Sequence, residues 1–447
     1  MDADAVQGDG EGEREETERR PGEVRGGRVR ERPHPARGLL WVPRLLLGIP
    51  RVAFMVATEP LGLLLRLEDR YQLRAHFVDI FFNDERTFGV FPTLFVETGF
   101  GLNAGLHVVH TDLFGRGETL HVRAGFGGVY RQRYEMRFDT GSRLGRAWRM
   151  RFDAGYTVRS HRFFGLGNPD QASQRSVALP LDPSAGVGVW SEFFIRKASG
   201  RVSTIHEVND HLRLVATYQM RRREVIEGDR GESLLWLSDA YRKENLPGSG
   251  VVVDVLPKLC LEYDRAERQG GAPPPPMPAP LPSSGWLARA CAGYEVALHG
   301  PYRFTPVEVD VQPFIHLFGG DRVLRMRFRL AAAIGDRERI PFIDLPTLGG
   351  PTWLRGYTRE RFRGPVSVLS TAEYRFPIGY NVSGYLFVDA GRTYDHDEAI
   401  TLTGLRVGYG GGLMVFSSAA YLFTLQLATS MDGGFFVHFR TDTTDAF

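Results

Sequence analysis

The sequence predicts an all-β protein, a transmembrane β-barrel of about sixteen antiparallel strands with one loop folded into its lumen. Three observations predict it. From Phe88 onward apolar and polar residues alternate in runs of about ten, the length of a tilted strand that spans a bilayer. No run approaches about twenty uninterrupted apolar residues, and 24% of the chain is charged, which excludes a polytopic helical protein. The 52 glycines and the 12% aromatic content suit a barrel with tight turns and aromatic girdles.

Residues 1–37 are rich in Glu, Arg, Gly and Pro, bury almost nothing, and are expected to form a disordered tail. They are not a signal peptide, so the export signal such a barrel needs is expected outside this chain. Residues 38–80 carry Leu45-Leu46-Leu47 and Leu61-Gly62-Leu63-Leu64-Leu65, broken by Pro43, Pro50 and Pro60 and wetted by Arg44, Arg51 and Arg66. They read as short kinked amphipathic helices that lie in a membrane interface, or that cover or plug one end of the barrel.

Residues 86–447 are expected to be the barrel. Its strands fall at 88–98, 101–110, 118–130, 131–138, 148–159, 201–208, 212–220, 251–263, 286–298, 305–317, 322–334, 365–376, 382–392, 405–416, 420–428 and 434–440. The run from Leu212 to Met220 shows the logic: Leu212, Leu214, Ala216, Tyr218 and Met220 share one face, fit for lipid, and the residues between them face water. Glycines at Gly99 and in Phe114-Gly115-Arg116-Gly117 supply the turns. Residues 270–284, with four consecutive prolines from Pro273 to Pro276, read as a disordered external loop. An even strand count brings both barrel termini to one end, and the first and last strands must meet, because hydrocarbon offers an open edge no partner.

Enzyme chemistry has no constellation here. Gly248-Ser249-Gly250 lacks the spacing and strand-to-helix context of a nucleophile elbow. Residues Gly99 to Gly105 read as hairpin turn chemistry, not a nucleotide loop. His107, His110, His161 and His206 are scattered, as solvated lumen- or loop-facing side chains would be, and no metal or other cofactor is implied. Cys260 and Cys291 fall on consecutive strands and share polar faces with Lys258, Glu262, Arg289 and Glu295; a disulfide would need strict cross-strand geometry, and free thiols are the expectation. A net charge of +2, spread along the chain, argues against a nucleic-acid partner.

One stretch stands apart, Leu348-Gly349-Gly350-Pro351-Thr352-Trp353-Leu354-Arg355-Gly356-Tyr357, in a long connection between two alternating runs. Downstream lie Glu373, in a strand, and Asp389, in Phe387-Val388-Asp389-Ala390-Gly391. A guanidinium inside a narrow lumen is costly unless its fork of donors meets carboxylates.

In order and spacing these three features resemble the BamA/TamA-type outer-membrane barrels, also called the bacterial surface antigen family. Leu354-Arg355-Gly356-Tyr357 is similar to that family's loop motif, and Phe387 to Gly391 to its acidic strand motif. The resemblance implies a sixteen-strand barrel whose loop enters the lumen, with Arg355 paired to Asp389 and Glu373 and with Gly356, Tyr357 and Gly391 completing a loop latch. It implies an outer-membrane location and a role in inserting or translocating a protein or lipid, without enzyme activity; a passive or structural pore is the alternative. The implied partners are outer-membrane lipid, a client protein or lipid, and a second copy in a homodimer. Family members usually carry periplasmic POTRA modules ahead of the barrel, and the residues before Phe88 leave no room for one, so the chain reads as a minimal member.

Overall fold

The computed structural model describes residues 80–97, 101–145, 147–167, 191–226, 246–268, 282–317, 322–378, 382–395, 398–416 and 421–440. The expected tail and nearly all of the expected kinked helices lie outside these residues.

Alternating side chains and glycine-bearing turns produce one antiparallel sheet of sixteen long strands. They are β1 (Phe88–Glu97), β2 (Gly101–Thr111), β3 (Thr119–Phe126), β4 (Gln132–Asp139), β5 (Trp148–Phe163), β6 (Ser191–Glu207), β7 (Leu212–Ile226), β8 (Val251–Asp264) and β9 (Pro282–Gly293). The set continues with β10 (Arg303–His316), β11 (Val323–Ile334), β12 (Val366–Pro377), β13 (Val382–Tyr394), β14 (Arg406–Phe416), β15 (Tyr421–Ser430) and β16 (Phe435–Arg440). Two short pieces, Glu267–Arg268 and Glu295–Ala297, extend the ladder beside β9. Each strand pairs with the next, from β1 with β2 through β15 with β16. Strands β1 and β16 approach within 8 Å but share no ladder among the described residues.

The alternation settles which face is wet. On β7, Tyr218 and Met220 are 56% and 48% exposed to the outside, while Gln219 between them is buried in the lumen. In a bilayer that outward band meets acyl chains, and polar lumenal groups pair with one another instead.

Three expectations are corrected. Cys260 and Cys291 are joined by a disulfide, their Cα atoms 4.1 Å apart. The β8–β9 register sets them directly opposite each other on the lumenal face, a fact of ladder alignment that spacing alone does not carry. The proline-rich segment is shorter than 270–284, because Pro282, Ser283 and Ser284 already belong to β9; residues 269–281 lie outside the described residues. Strand parity also puts its flanks, Arg268 and Pro282, at the end where β1 begins, opposite the end that emits the long connections after β5, β7 and β11. Long loops mark the outer end of such barrels, so these two flanks lie at the short-turn end. Finally, Gly101 to Gly105 are strand, not turn.

Inside the outer end, side chains form a small core. Phe163, Phe193, Val225 and Phe342 pack together, and Phe304, Ala333, Ile340 and Leu345 form a second cluster, with Leu166 against both.

Candidate functional site

The connection from β11 to β12 folds inward and is organised by a two-residue ribbon, Thr347–Leu348 paired with Phe362–Arg363. Between the ribbon's strands the chain turns sharply at Gly349 and Gly350, then at Leu354 (φ 62°) and Gly356 (φ 90°). A left-handed leucine is strained, by about 1–3 kcal/mol. Burial holds it there: Leu354 is fully enclosed with Leu348, Tyr357, Phe362 and Leu369. The pair of left-handed residues aims Arg355 at the wall.

Arg355 meets β13 and β12. Its Nε and Nη2 donate to the two oxygens of Asp389 at 2.8 Å, its backbone N–H donates to Asp389 Oδ2 at 2.9 Å, and Nη1 donates to Glu373 Oε2 at 2.9 Å. The guanidinium also lies over the Phe387 ring, 3.6 Å from its centroid. Both acids are almost wholly desolvated, Asp389 at 1% and Glu373 at 4% exposure, so each needs a cation. Glu373 has a second one in Arg375, at 2.8 Å. Burial alone would pull the Arg355 guanidinium down, but Asp389 and Glu373 outweigh it and hold its charge more firmly than in water.

The remaining sequence-predicted residues gather around this contact. A Cβ on Gly356 would sit 2.0 Å from the Thr429 carbonyl oxygen, so only glycine fits. Tyr357 donates its hydroxyl to Asp432 at 3.2 Å, and Asp432 also accepts from Arg406 at 3.1 Å. Gly391 underlies the ribbon, where a Cβ would press on Val368 and Leu348.

Sequence reasoning missed the opposite side of the cradle. The lumenal face of β14 carries Gly408, Gly410 and Gly412. A Cβ on Gly408 would lie 1.6 Å from the Arg355 carbonyl oxygen, and one on Gly412 2.5 Å from the Tyr385 hydroxyl. The signal was present in Gly408-Tyr409-Gly410-Gly411-Gly412, a bare face at period two.

It also missed that the loop is tied to other walls. Asp344, in a short 3₁₀ turn (Phe342–Asp344), accepts from Arg223 on β7. Arg223 donates to Glu295 at 2.9 Å, and its neighbour Arg221 donates to Asp254 on β8 at 2.7 Å. Glu360 meets His161 on β5 at 3.0 Å and Arg363 at 2.9 Å. Burial alone would raise the Glu360 carboxyl, but His161, Arg363 and Arg359 hold it well below the usual carboxylate range. Trp353 lies between Arg327 and Arg329 of β11, whose guanidinium carbons are 4.3 and 4.2 Å from its ring centroid. His161 is therefore a half-buried partner of Glu360, not a solvated side chain. His107 and His121 approach each other to 3.3 Å, and no group of three metal-ligating side chains occurs among the described residues.

A sixteen-strand barrel with a charged, loop-filled lumen and a lipid-fit exterior defines an outer-membrane β-barrel of the Gram-negative type. Residues 279–433 match the Omp85 superfamily domain, over the stretch that contains Arg355, Glu373 and Asp389. The fold is similar to that of BamA from Haemophilus ducreyi lacking POTRA domains 1–3, with a TM-score of 0.52 and 13% identity over 79% of this chain and 69% of that one. CdiB from Escherichia coli aligns with a TM-score of 0.47 and 10% identity, over 79% of this chain and 60% of that one. No curated protein sequence matches this one.

Proposed function

We propose that this barrel helps move or insert a polypeptide or lipid at the outer membrane, and that it does so without covalent chemistry. The observation that carries the reading is Arg355 locked by Asp389 and Glu373 inside the segment that matches the Omp85 superfamily domain. In this reading Arg355, Gly356, Tyr357, Glu373, Asp389 and Gly391 form a latch. The latch holds the loop as a lumenal plug, and a client is handled at the barrel edge and its surrounding lipid.

The edge supports this. Among the described residues the last strand, Phe435–Arg440, spans six residues and meets β1 without a shared ladder. Unpaired backbone groups in hydrocarbon are costly, so a short seam is an attractive template for an incoming strand.

The test is reconstitution of the full chain in liposomes, with the folding rate of an unfolded outer-membrane β-barrel and the transfer rate of labelled lipid as readouts. Acceleration of either, lost in Arg355→Ala, is the expected result. Both rates at background would refute the proposal, and a steady, wide single-channel conductance would favour a passive pore.

A further inference from the structure

We propose that the outer face of β4–β8 holds one anionic lipid, with an acyl chain in a notch of the sheet and its phosphate on Arg196 and Arg222. The notch is a depression of about 650 Å³. Ladder register builds it from adjacent outward positions. Ala154 on β5 pairs with Gly200 on β6, and Tyr156 pairs with Ala198, so three small residues form the floor. Above Gly200 the space is open, with no heavy atom within 4 Å of a built Cβ. The rim is tall on both sides: Tyr134 and Tyr156 stack with ring centroids 6.2 Å apart, and Met220, 48% exposed, stands across from them.

This face looks outward, so what fills the depression is lipid, and a slot one side chain deep and flanked by rings fits an acyl chain. Charge selects the headgroup. Arg222 lines the notch itself. Opposite it on β6, one step nearer the loop-bearing end, the register puts Arg196 across from Glu224. Both arginines share that single carboxylate, at 3.2 and 3.1 Å, and their side chains remain 41% and 49% exposed. Two guanidiniums on one carboxylate leave a net positive charge with free donors at the level of the aromatic rim, where headgroup phosphates lie. A floor without an arginine would take any chain, and arginines without a floor would take any anion. Together they specify a lipid whose phosphate headgroup carries a net negative charge, in the leaflet on the loop side.

The test uses the full chain purified in detergent and incubated with phosphatidylglycerol or chain-matched phosphatidylcholine, with adducts counted by native mass spectrometry. One phosphatidylglycerol should be retained about fivefold over phosphatidylcholine, what one net charge beside a phosphate supplies. Arg196→Gln with Arg222→Gln, both at exposed side chains, should erase that preference. Gly200→Phe should fill the floor and remove retention of both lipids; Ala198→Phe serves if Gly200→Phe does not fold, as read by heat-modifiable migration. Equal retention of the two lipids by the unaltered chain would mean annular lipid only and overturn the proposal. So would an undiminished preference in the arginine variant, or unchanged retention in a folded floor variant.

Discussion

Two walls of this barrel hold the same loop in different ways. On β12–β14 a single arginine carries the contact: Arg355 reaches out of the loop into two wall carboxylates and backs onto a glycine-bare strand. On β5–β9 the polarity is reversed, and the loop supplies the acids. Asp344 sits in a cluster with Arg221, Arg223, Asp254 and Glu295, and Glu360 sits with His161 and Arg363. The first wall has one cation for the desolvated Asp389, whose loss leaves that carboxylate bare, while Glu373 falls back on Arg375. The second spreads its charge over several mutually compensating groups, so no single loss leaves a bare ion. The loop is braced across the lumen, with one brittle anchor and one redundant anchor.

Arg355→Ala should break the brittle side and have the largest effect. Removing one partner of a buried pair costs about 3–5 kcal/mol, visible as a lowered midpoint of urea unfolding in lipid vesicles. Arg355→Lys should recover little, because an ammonium cannot engage both Asp389 oxygens and Glu373 in one plane. A midpoint equal to that of the unaltered barrel would end the idea of a brittle anchor.

Gly408→Ala tests the same wall from the other side without touching a charge. The added methyl would overlap the Arg355 carbonyl oxygen, so the loop must retreat from β14. Overpacking of this kind costs about 1–3 kcal/mol, and the loop should become open to added protease near Thr352. If Gly408→Ala stays as resistant as the unaltered chain, the close approach of loop and β14 is not what holds Arg355 in place.

The redundant wall should respond less. Asp344→Asn keeps the shape and removes one of three acids around Arg221 and Arg223, at a cost of about 1.5 kcal/mol, the low end for a hydrogen bond to a charged group because the amide oxygen still accepts. Because the two anchors share no side chain, combining it with Arg355→Ala should give nearly the sum of the two losses. A combined loss far from that sum would show that the walls act as one unit.

Legibility in the sequence follows the range of the interactions. Strand number and order were readable because the alternation of lipid and lumen faces is local, as in Leu212 to Met220. Strand length was not: β6 begins at Ser191, ten residues before the alternating run at Arg201, and β7 runs on past Met220 to Ile226. These extensions carry Arg196, Arg222 and Glu224 outward beyond the apolar band, where alternation no longer distinguishes a strand. The Cys260–Cys291 bond was hidden for a related reason, since register is set by the whole ladder. Within the site, Arg355, Glu373 and Asp389 stood out because each sits in a short motif, and the fold brings them together. Gly408 and Asp344 lie 53 and 11 residues from Arg355 in the chain; the glycine run marks a bare face without its partner and Asp344 carries no motif, so only the closed barrel shows what they face.

The smallest effect concerns pH at the Glu360 contact of the second wall. Glu360 is held below the usual carboxylate range by His161, Arg363 and Arg359. A carboxyl with a depressed folded value stabilises above its unfolded value, about 4.3, and loses that stabilisation only as pH falls through the folded one. Acidification from neutrality to about pH 5 stays above both values, so Glu360 keeps its charge and its hold on the β5 wall. The share of loop protease resistance that Glu360 supplies should therefore be flat across that range: the loss caused by Glu360→Gln should be the same at neutrality and at about pH 5. A Glu360→Gln loss that shrinks toward about pH 5 would show that Glu360 titrates in the ordinary range and that its hold on the β5 wall fails in mild acid.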